Sequence, residues 1–257
     1  MDIDLNSDLG EGYGPWRMGD DEALLNIISS ANIACGFHAG DPVIMERTVR
    51  FAARRGIEID IGAHVGFPDL LGFGRRRMHV EPAELASYVT YQLGALAGIA
   101  HACGRRMTHM SFHGALGNMV AADAALSDVL IAAVARFDAG LIVSSSPSAA
   151  IERACDRHGL RVATSFLADR ACDSQGLLIP RQMPDAVIHD SARVLARVEQ
   201  LLESGTVTTY DGQTLRLQAS SILVHGDTPG AVSLAAAVKE RIEEIGGRIV
   251  PISRQIS

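Results

Sequence analysis

Short apolar runs alternate with longer segments of helical periodicity along nearly the whole chain. Such alternation is typical of βα units built around a parallel sheet. The predicted strands are 2–6, 31–34, 58–62, 106–110, 140–143, 161–164, 221–224 and 248–251. The predicted helices are 21–29, 42–55, 82–103, 122–137, 147–158, 191–204 and 229–245. Seven or eight units favour a closed (β/α) barrel, with an open doubly wound sheet as the alternative.

Two segments interrupt this rhythm. The stretch TVTTYDGQTLRL alternates with period two on both sides of Asp211-Gly212, a pair suited to a type I′ turn, and predicts an inserted β-hairpin. Residues 168–190 have no clean period and predict a long loop that covers a site. No linker or low-complexity segment divides the chain, so residues 1–257 are predicted to form a single barrel domain.

Two predicted helix starts carry capping signals. Asp41 precedes Pro42, and Thr228 precedes Pro229. Each pair would place a side-chain acceptor ahead of a proline in the first helical turn, where the missing proline N–H costs nothing.

Composition excludes some classes of partner. The net charge of -7 argues against a nucleic-acid or anionic-membrane surface, because binding phosphates depends on clustered positive charge. The N-terminal sequence MDIDLNSDLGEG is acidic, unlike a signal peptide, and no apolar run reaches membrane-spanning length. A cytoplasmic protein is therefore expected, and its four widely spaced cysteines are expected to be reduced thiols.

Carboxylates and imidazoles recur directly after the predicted strands. They are Asp8 and Glu11 after the first strand, His38 and Asp41 after the second, His64 and Asp69 after the third, His113 after the fourth, and His225 and Asp227 after the late strand SSILV. Because the loops after barrel strands converge on one face, these side chains are expected to meet at a solvent-facing mouth. In SANIACGFHAGDP, glycines on both sides of His38 would let the chain turn sharply there.

A single histidine at a strand end is more often structural than functional, but four placed alike favour a site. The candidates for catalysis are Asp8, Glu11, His38, His64 and His113. Asp41 and Asp227 are interpreted first as helix caps. The remaining histidines are interpreted as structural or surface residues, namely His79, His101, His109, His158 and His189.

Two chemistries suit such a mouth. In the first, a base activates water for attack on a carbonyl, and a cationic or metallic centre stabilises the oxyanion. In the second, one aspartate and two histidines, here Asp8, His38 and His64, hold a divalent metal ion. Sequence spacing leaves both open, because the candidate ligands come from separate strands.

The basic residues bear on how a nucleotide would be handled. All 23 except Lys239 are arginine, and no G-x-x-x-x-G-K-[ST] loop is present. ATP, if the reaction consumes it, is therefore expected to bind elsewhere. The run Arg75-Arg76-Arg77 is interpreted as a solvated or internally paired loop rather than a ligand clamp.

Six segments together resemble the LamB/YcsF family. They are DLNSDLGEGYG, SANIACGFHAGDP, GAHVGFPDLLGFGRR, HGALGN, ADRACDSQGLLIPR and VHGDTPGA, and they cover nearly the whole chain in order. The resemblance implies a (β/α)7 barrel related to polysaccharide deacetylase barrels. It also implies ATP-dependent opening of the 5-oxoproline lactam to glutamate with two carboxyltransferase-like partner subunits.

Matching these motifs implies a set of substrate-binding residues. They are Asn6, Asp41, Asp69, Asn118, Asp169, Arg170, Arg181, His225 and Asp227. The chain departs from the family pattern at Val65, Ser111, Phe112, Gly117 and Cys172, where proline, lysine, proline, tyrosine and tyrosine are usual. A related lactam, amide or cyclic imide is therefore the alternative substrate.

Two further functions stay open at this point, a stand-alone metal-dependent deacetylase or amidohydrolase on a small acylated or carbohydrate substrate, and a non-catalytic binding subunit. Formation of a homo-oligomer is open as well.

The lack of a phosphate-binding loop predicts that the isolated chain does not hydrolyse ATP. Phosphate release from ATP would be measured across the fractions of the final purification step. An ATPase activity that follows the protein peak from fraction to fraction would contradict the prediction.

Overall fold

The computed structural model describes residues 1–54 and 59–256. Its strands are β1 (Asp2–Leu9), β2 (Ser30–Ala34), β3 (Asp60–Val65), β4 (Met107–Phe112), β5 (Ile142–Ser145), β6 (Arg161–Leu167), β7 (Thr206–Thr208), β8 (Thr214–Arg216), β9 (Ser221–Val224) and β10 (Arg248–Ile249). Its helices are α1 (Asp21–Leu25), α2 (Pro42–Arg54), α3 (Pro82–Ala102), α4 (Gly114–Ala122), α5 (Ala124–Phe137), α6 (Ala149–His158), α7 (Ser191–Ser204) and α8 (Ala231–Glu244), with short 3-10 turns at Leu70–Gly72 and Ile252–Arg254.

Seven parallel strands close into a barrel in the order β1, β2, β3, β4, β5, β6, β9. Closure comes from β9, which pairs with β6 on one side and with β1 on the other. The short strand β10 adds to the start of β1. The predicted (β/α) barrel is therefore confirmed with seven strands, and the open-sheet alternative is wrong. The antiparallel pair β7–β8 confirms the inserted hairpin.

Most predicted elements match the structure to within a few residues, and the helix predicted at 122–137 is α5. Helix α4 precedes it, was not predicted, and ends at Asp123, whose backbone is extended with φ −121°. Asp123 then caps α5 by accepting hydrogen bonds from the N–H groups of Ala125 and Leu126. The predicted end of one helix at 55 and the predicted start of a strand at 58 lie outside the described residues.

One of the two capping predictions is confirmed. Asp41 accepts hydrogen bonds from the N–H groups of Val43 and Ile44 at the start of α2. The prediction for Thr228-Pro229 is wrong, because α8 begins later, after Gly230 at φ 81°, and has no side-chain cap.

The type I′ turn at Asp211-Gly212 is also wrong in detail. Such a turn requires positive φ at both central residues, whereas only Gly212 of this pair has it. The hairpin closes instead through a longer loop in which the Gly212 N–H donates to the Thr209 carbonyl at 3.0 Å.

Polar side chains fill much of the barrel interior, where branched apolar residues usually dominate. At the amino-terminal end, Asp4 accepts hydrogen bonds from the hydroxyls of Ser29, Ser30 and Ser221, each at 2.6 Å. The Ile252 N–H donates to Ser30, so the carboxy-terminal segment closes this end of the barrel. The opposite, carboxyl end of the strands is therefore the open one.

Within the described residues, no single helix has both the length and the apolar character needed to cross a membrane. Only α4 and α5 taken together pass that test, and they are bent by 115° at their junction. Leu116, Val120, Leu130 and Ile131 of this pair are buried in the protein core.

The buried Asp4 predicts a pH dependence of folding stability. Burial raises its pKa from 3.8 to about 6, although the three serine hydroxyls oppose the rise. The folded state therefore holds this proton more tightly than the unfolded state. The contribution of Asp4 is most favourable below about pH 4 and is lost as the pH rises to about 6, by roughly 3 kcal/mol at most.

Urea unfolding from about pH 4 to about pH 7 measures this contribution. In the wild type, titration of Asp4 should lower the free energy of unfolding over this range, in addition to the effects of other titrating groups. Asp4→Asn should remove the part that comes from Asp4. Asp156→Asn, at an exposed position of α6, is the matched control and should keep the decline. Parallel wild-type and Asp4→Asn curves would contradict the assignment.

Candidate active site

Four of the predicted site residues form one compact cluster at the carboxyl end of the barrel. Ligand atoms of Glu11, His38, His64 and His113 all lie within 4.8 Å of one another. The rings of His38 and His113 stack with centroids 3.8 Å apart and planes 6° apart. The expected convergence is confirmed. The expected exposure is wrong, because relative exposure of these four residues runs from 0% to 6%.

Local backbone geometry explains how His38 reaches the cluster. Gly36 and Gly40 have positive φ, at 89° and 78°, so the chain turns sharply on both sides of the histidine. Further glycines make room for its ring, since a β-carbon on Gly66 or Gly74 would collide with the His38 side chain. Glycines of the two loops that follow β2 and β3 therefore shape the site together.

Hydrogen bonds orient the other two histidines. His113 Nε2 donates to the Phe73 carbonyl at 2.8 Å, which leaves the lone pair of the neutral ring on Nδ1. That Nδ1 faces His64 Nε2 at 2.9 Å and Glu11 Oε1 at 3.5 Å. His64 Nδ1 contacts the Ser111 hydroxyl at 2.7 Å. Ser111, one of the departures from the family pattern, is thus a direct partner of the cluster.

Burial sets the protonation of these groups. It lowers the pKa of His38 and His113 well below the ordinary value, and the neighbouring imidazoles lower it further. The pKa of His64 falls to about 3 for the same reason. Burial raises the pKa of Glu11, and the nearby charge of Asp8 raises it more. The three imidazoles are therefore neutral at neutral pH, which is the form that binds metal ions.

The cluster has the features of a divalent metal site. Metal–nitrogen bonds of about 2.0–2.1 Å place adjacent ligand atoms about 3 Å apart, and the cluster has such spacings at 2.9, 3.3 and 3.5 Å. His64 and His113 have outer partners of the kind that orient metal-bound imidazoles. His38 Nδ1 is buried and has no hydrogen-bond partner among the described residues. These residues could hold a metal ion.

The grouping differs from the predicted metal set of Asp8, His38 and His64. Glu11 and His113 lie with the two histidines, whereas Asp8 lies beside the cluster, with Oδ2 3.5 Å from His64 Nε2. Asp8 Oδ1 accepts a hydrogen bond from Asn32 at 2.9 Å. Burial raises the pKa of Asp8 above its ordinary value.

A second acid–imidazole pair lies on the other side of the barrel mouth. His225 Nδ1 approaches the two oxygens of Asp169 at 2.7 and 3.0 Å. Burial alone would lower the pKa of His225, but the charge of Asp169 and its hydrogen bond outweigh burial and raise it. The pKa of Asp169 is lowered, because the same interaction outweighs its own burial.

A cavity of about 560 Å³ is lined by His64 and His113 of the cluster on one side and by His225 on the other. Its lining includes Asp8, His64, Ser111, His113, Asn118, His225 and the arginines Arg75, Arg77, Arg170 and Arg181. The loop 168–190, which was predicted to cover a site, contributes Arg170, Leu178, Pro180 and Arg181 to the wall of this cavity.

The arginines of the cavity differ in how they are bound. Arg170 donates to the carbonyls of Ile179 and Ala186, so it holds the loop together. Arg75 pairs with Asp227 at 2.7 Å and lies over the Phe73 ring. Arg181 makes no hydrogen bond with any residue in the described part of the chain.

Several predicted site residues have other partners. Asp41 is occupied by the N–H groups at the start of α2 and by that of Gly14. Asp69 pairs with Arg76 and accepts from the Gly72 N–H. Asn6 is fully buried inside the barrel. None of these three residues is part of the cavity lining. Asp227, which was predicted to be a helix cap, instead forms an ion pair with Arg75.

Two residues near the site are absent from the predicted site residues. Arg75, interpreted as solvated or internally paired, is paired, but it also lines the cavity. Its place after the third strand, in the same loop as Asp69, is the available signal. His109, interpreted as structural or surface, is fully buried inside the barrel and contacts Asn32 at 3.0 Å.

The structure is a (β/α)7 barrel with a buried cluster of acids and imidazoles at the carboxyl ends of its strands. Comparison with known proteins then gives the family. The sequence model of the LamB/YcsF family matches residues 3–257, and the chain belongs to this family.

The chain is similar to proteins of known name over their whole length. It is 65% identical to the second 5-oxoprolinase A subunit of Ralstonia nicotianae, over 100% of this chain and 98% of the relative. It is 63% identical to the first 5-oxoprolinase A subunit of Pseudomonas syringae pv. tomato, over 99% and 98%. Among solved structures, the lactam utilization protein of Thermus thermophilus superposes with a TM-score of 0.89 at 37% identity, over 97% of this chain and 99% of that one.

The cluster predicts that the purified chain binds one divalent ion. His113→Ala removes a metal ligand. It should weaken metal binding by at least about 10–100-fold, which is the loss seen when only a hydrogen-bond partner of a ligand is removed. His158→Ala is the control, because His158 pairs with Asp128 away from the cluster. Titration with zinc and manganese measures both. Unchanged affinity and stoichiometry in His113→Ala would rule out this ligand set.

Proposed function

We propose that the chain is the A subunit of a 5-oxoprolinase, which opens 5-oxoproline or a closely related cyclic amide to the amino acid. The relatives named above supply the substrate class. The observation that carries the proposal to this chain is the cavity that combines Arg181 with Asp8 and His225. A lactam that bears a carboxylate needs both kinds of group, a cation for its carboxylate and proton-transfer groups for its amide.

Arg181 is suited to bind the substrate carboxylate. Guanidinium donors match a carboxylate in a two-pronged geometry. Burial lowers the pKa of Arg181, and the nearby Arg75 lowers it further, but an arginine stays charged under physiological conditions. Because Arg181 has no hydrogen-bond partner among the described residues, its donors are available to a ligand.

Asp8 and His225 are suited to the two proton transfers of hydrolysis. Asp8 accepts a proton from water as the water oxygen bonds to the lactam carbonyl carbon. His225 is the group with a raised pKa, held by Asp169, and it donates its proton to the lactam nitrogen as the carbon–nitrogen bond breaks. The product is the open amino acid, and the two groups end in exchanged protonation states, which solvent restores.

The cluster of Glu11, His38, His64 and His113 would hold a divalent metal ion beside Asp8. Such an ion supplies Lewis-acid polarisation of a carbonyl oxygen. The chain contributes the neutral imidazoles, the outer hydrogen bonds of His113 to the Phe73 carbonyl and of His64 with Ser111, and a buried setting that excludes bulk water.

ATP is assigned to two carboxyltransferase-like partner subunits. An amide is resonance-stabilised and a poor electrophile, so a partner would transfer the terminal phosphoryl group of ATP to the amide oxygen and release ADP. Ring opening by one water would then leave an acyl phosphate, and a second water would split it into the carboxylate and inorganic phosphate. The single lysine of the chain, Lys239, lies on the outer helix α8 and pairs with Glu243, away from the cavity lining.

The metal-competent cluster also favours a second candidate, a metal-dependent deacetylase or amidohydrolase that acts alone. That enzyme would release acetate from acylated substrates without ATP or partners. The proposed 5-oxoprolinase component would require both. A non-catalytic binding protein would retain ligand affinity and show turnover in neither assay.

The proposal predicts that Asp8 is essential for turnover. The wild-type chain, combined with its two partner subunits, should form glutamate from 5-oxoproline and ATP. Asp8→Asn preserves shape but cannot accept the proton, so kcat should fall by about 10²–10⁴-fold. Asp156→Asn, on the exposed surface of α6, should leave kcat unchanged.

Glutamate formation measured by chromatography decides the matter, with thermal midpoints recorded for each variant. Absence of glutamate with the wild type would reject the function. Full activity of Asp8→Asn would reject the assigned role of this residue.

A further inference from the structure

A buried histidine that the proposed reaction does not use lies directly below the site. His109 is fully buried in the barrel interior, on β4. The register between β3 and β4 shifts at Ile61/Gly62, where Ile61 pairs with Met107 and Gly62 pairs with His109. Thr108 is therefore an extra residue in the ladder. Bulges of this kind are frequent near active sites, where they redirect a side chain.

The barrel makes specific room for this ring. A β-carbon on Gly62 would collide with the His109 imidazole, so glycine is required opposite it. Burial of a polar ring in the core costs free energy unless both ring nitrogens are hydrogen-bonded. Both nitrogens of His109 have partners.

Those partners fix a single direction of hydrogen bonding. His109 Nε2 lies 3.0 Å from Asn32 Oδ1, which can only accept, so Nε2 carries the proton. Nδ1 then accepts from the Thr108 hydroxyl at 3.1 Å. Asn6 Nδ2, at 3.5 Å, also points its N–H group at Asn32 Oδ1.

These hydrogen bonds determine how Asp8 is held. With donors on its oxygen, the Asn32 amide must turn its NH2 group toward Asp8 Oδ1, which it reaches at 2.9 Å. A flipped amide would place oxygen against carboxylate and NH2 against the NH2 of Asn6. Held at Oδ1, Asp8 presents Oδ2 toward His64, at 3.5 Å.

We propose that His109 is a positioning residue for the reaction, acting through Asn32 to orient the carboxylate of Asp8. The inference rests on the proposed function only for the role of Asp8 itself. Burial keeps His109 neutral, since it lowers the pKa to about 4, so the tautomer persists at neutral pH.

Two substitutions of similar size separate orientation from packing. His109→Gln can still donate an N–H group to Asn32, whereas His109→Leu cannot. In the reconstituted complex, His109→Leu should lower kcat by about 10–100-fold, the range for a small misplacement of a reacting group. KM should change little, because the substrate's carboxylate is bound elsewhere. His109→Gln should recover most of the loss.

The Asp8→Asn background provides the decisive control. If His109 acts through Asp8, His109→Leu should cost no further activity once Asp8 is replaced. A residue that merely supports the fold would lower activity in both backgrounds alike. Equal losses in His109→Leu and His109→Gln, or losses that multiply with Asp8→Asn, would overturn the inference.

A second readout does not depend on the substrate. The side-chain amide signals of Asn32 in a ¹⁵N–¹H spectrum, assigned by their disappearance in Asn32→Asp, should move strongly in His109→Leu and little in His109→Gln. If the complex fails to open 5-oxoproline, the proposed function falls, and these signals still decide the orientation. Asn32 signals unmoved in His109→Leu would overturn it.

Discussion

The cost of removing polar groups from water inside a closed barrel governs the rest of this structure. Interior positions here are occupied by carboxylates, amides, hydroxyls and imidazoles, and each needs a partner because an unpaired buried polar group is strongly unfavourable. At the closed end, Asp4 is satisfied by three serine hydroxyls. At the open end, the same requirement orders the histidines and Asp8. Two buried side-chain atoms in the described residues have no hydrogen-bond partner, Asn6 Oδ1 in the barrel interior and His38 Nδ1 in the histidine cluster.

The same desolvation determines which imidazoles are protonated. Burial keeps His38, His64 and His113 neutral and therefore able to donate lone pairs. His225 differs because Asp169 is hydrogen-bonded to it and raises its pKa. One imidazole at the mouth therefore binds a proton more readily than its neighbours do. Pairs of titratable groups whose surroundings separate their pKa values are how a site obtains an acid and a base at one pH.

The sequence is sufficient for the barrel and for the convergence of the site, because both follow from periodicity and from the geometry of βα units. His38, His64 and His113 can be found since each follows a strand. The failures have physical causes. A register shift at Thr108 and the missing side chain of Gly62, which place His109 in the interior, leave no periodic signal. Asp41 and Asp69 follow strands too, but their short side chains bind nearby groups instead of reaching the site. Asp41 accepts from backbone N–H groups, and Asp69 accepts from the Gly72 N–H and pairs with Arg76. The relation to polysaccharide deacetylase barrels, the cytoplasmic location and the homo-oligomer stay predictions.

We propose that one cavity binds the carboxylate of a lactam at Arg181 and holds its amide against Asp8, His225 and the histidine cluster. A crystal structure of the chain with 5-oxoproline would show where each group of the ligand lies. We expect the ring inside the cavity, with its carboxylate on the Arg181 guanidinium and its carbonyl facing His64. A ligand bound outside the cavity, or bound with its carboxylate against the histidines and its amide on Arg181, would contradict it.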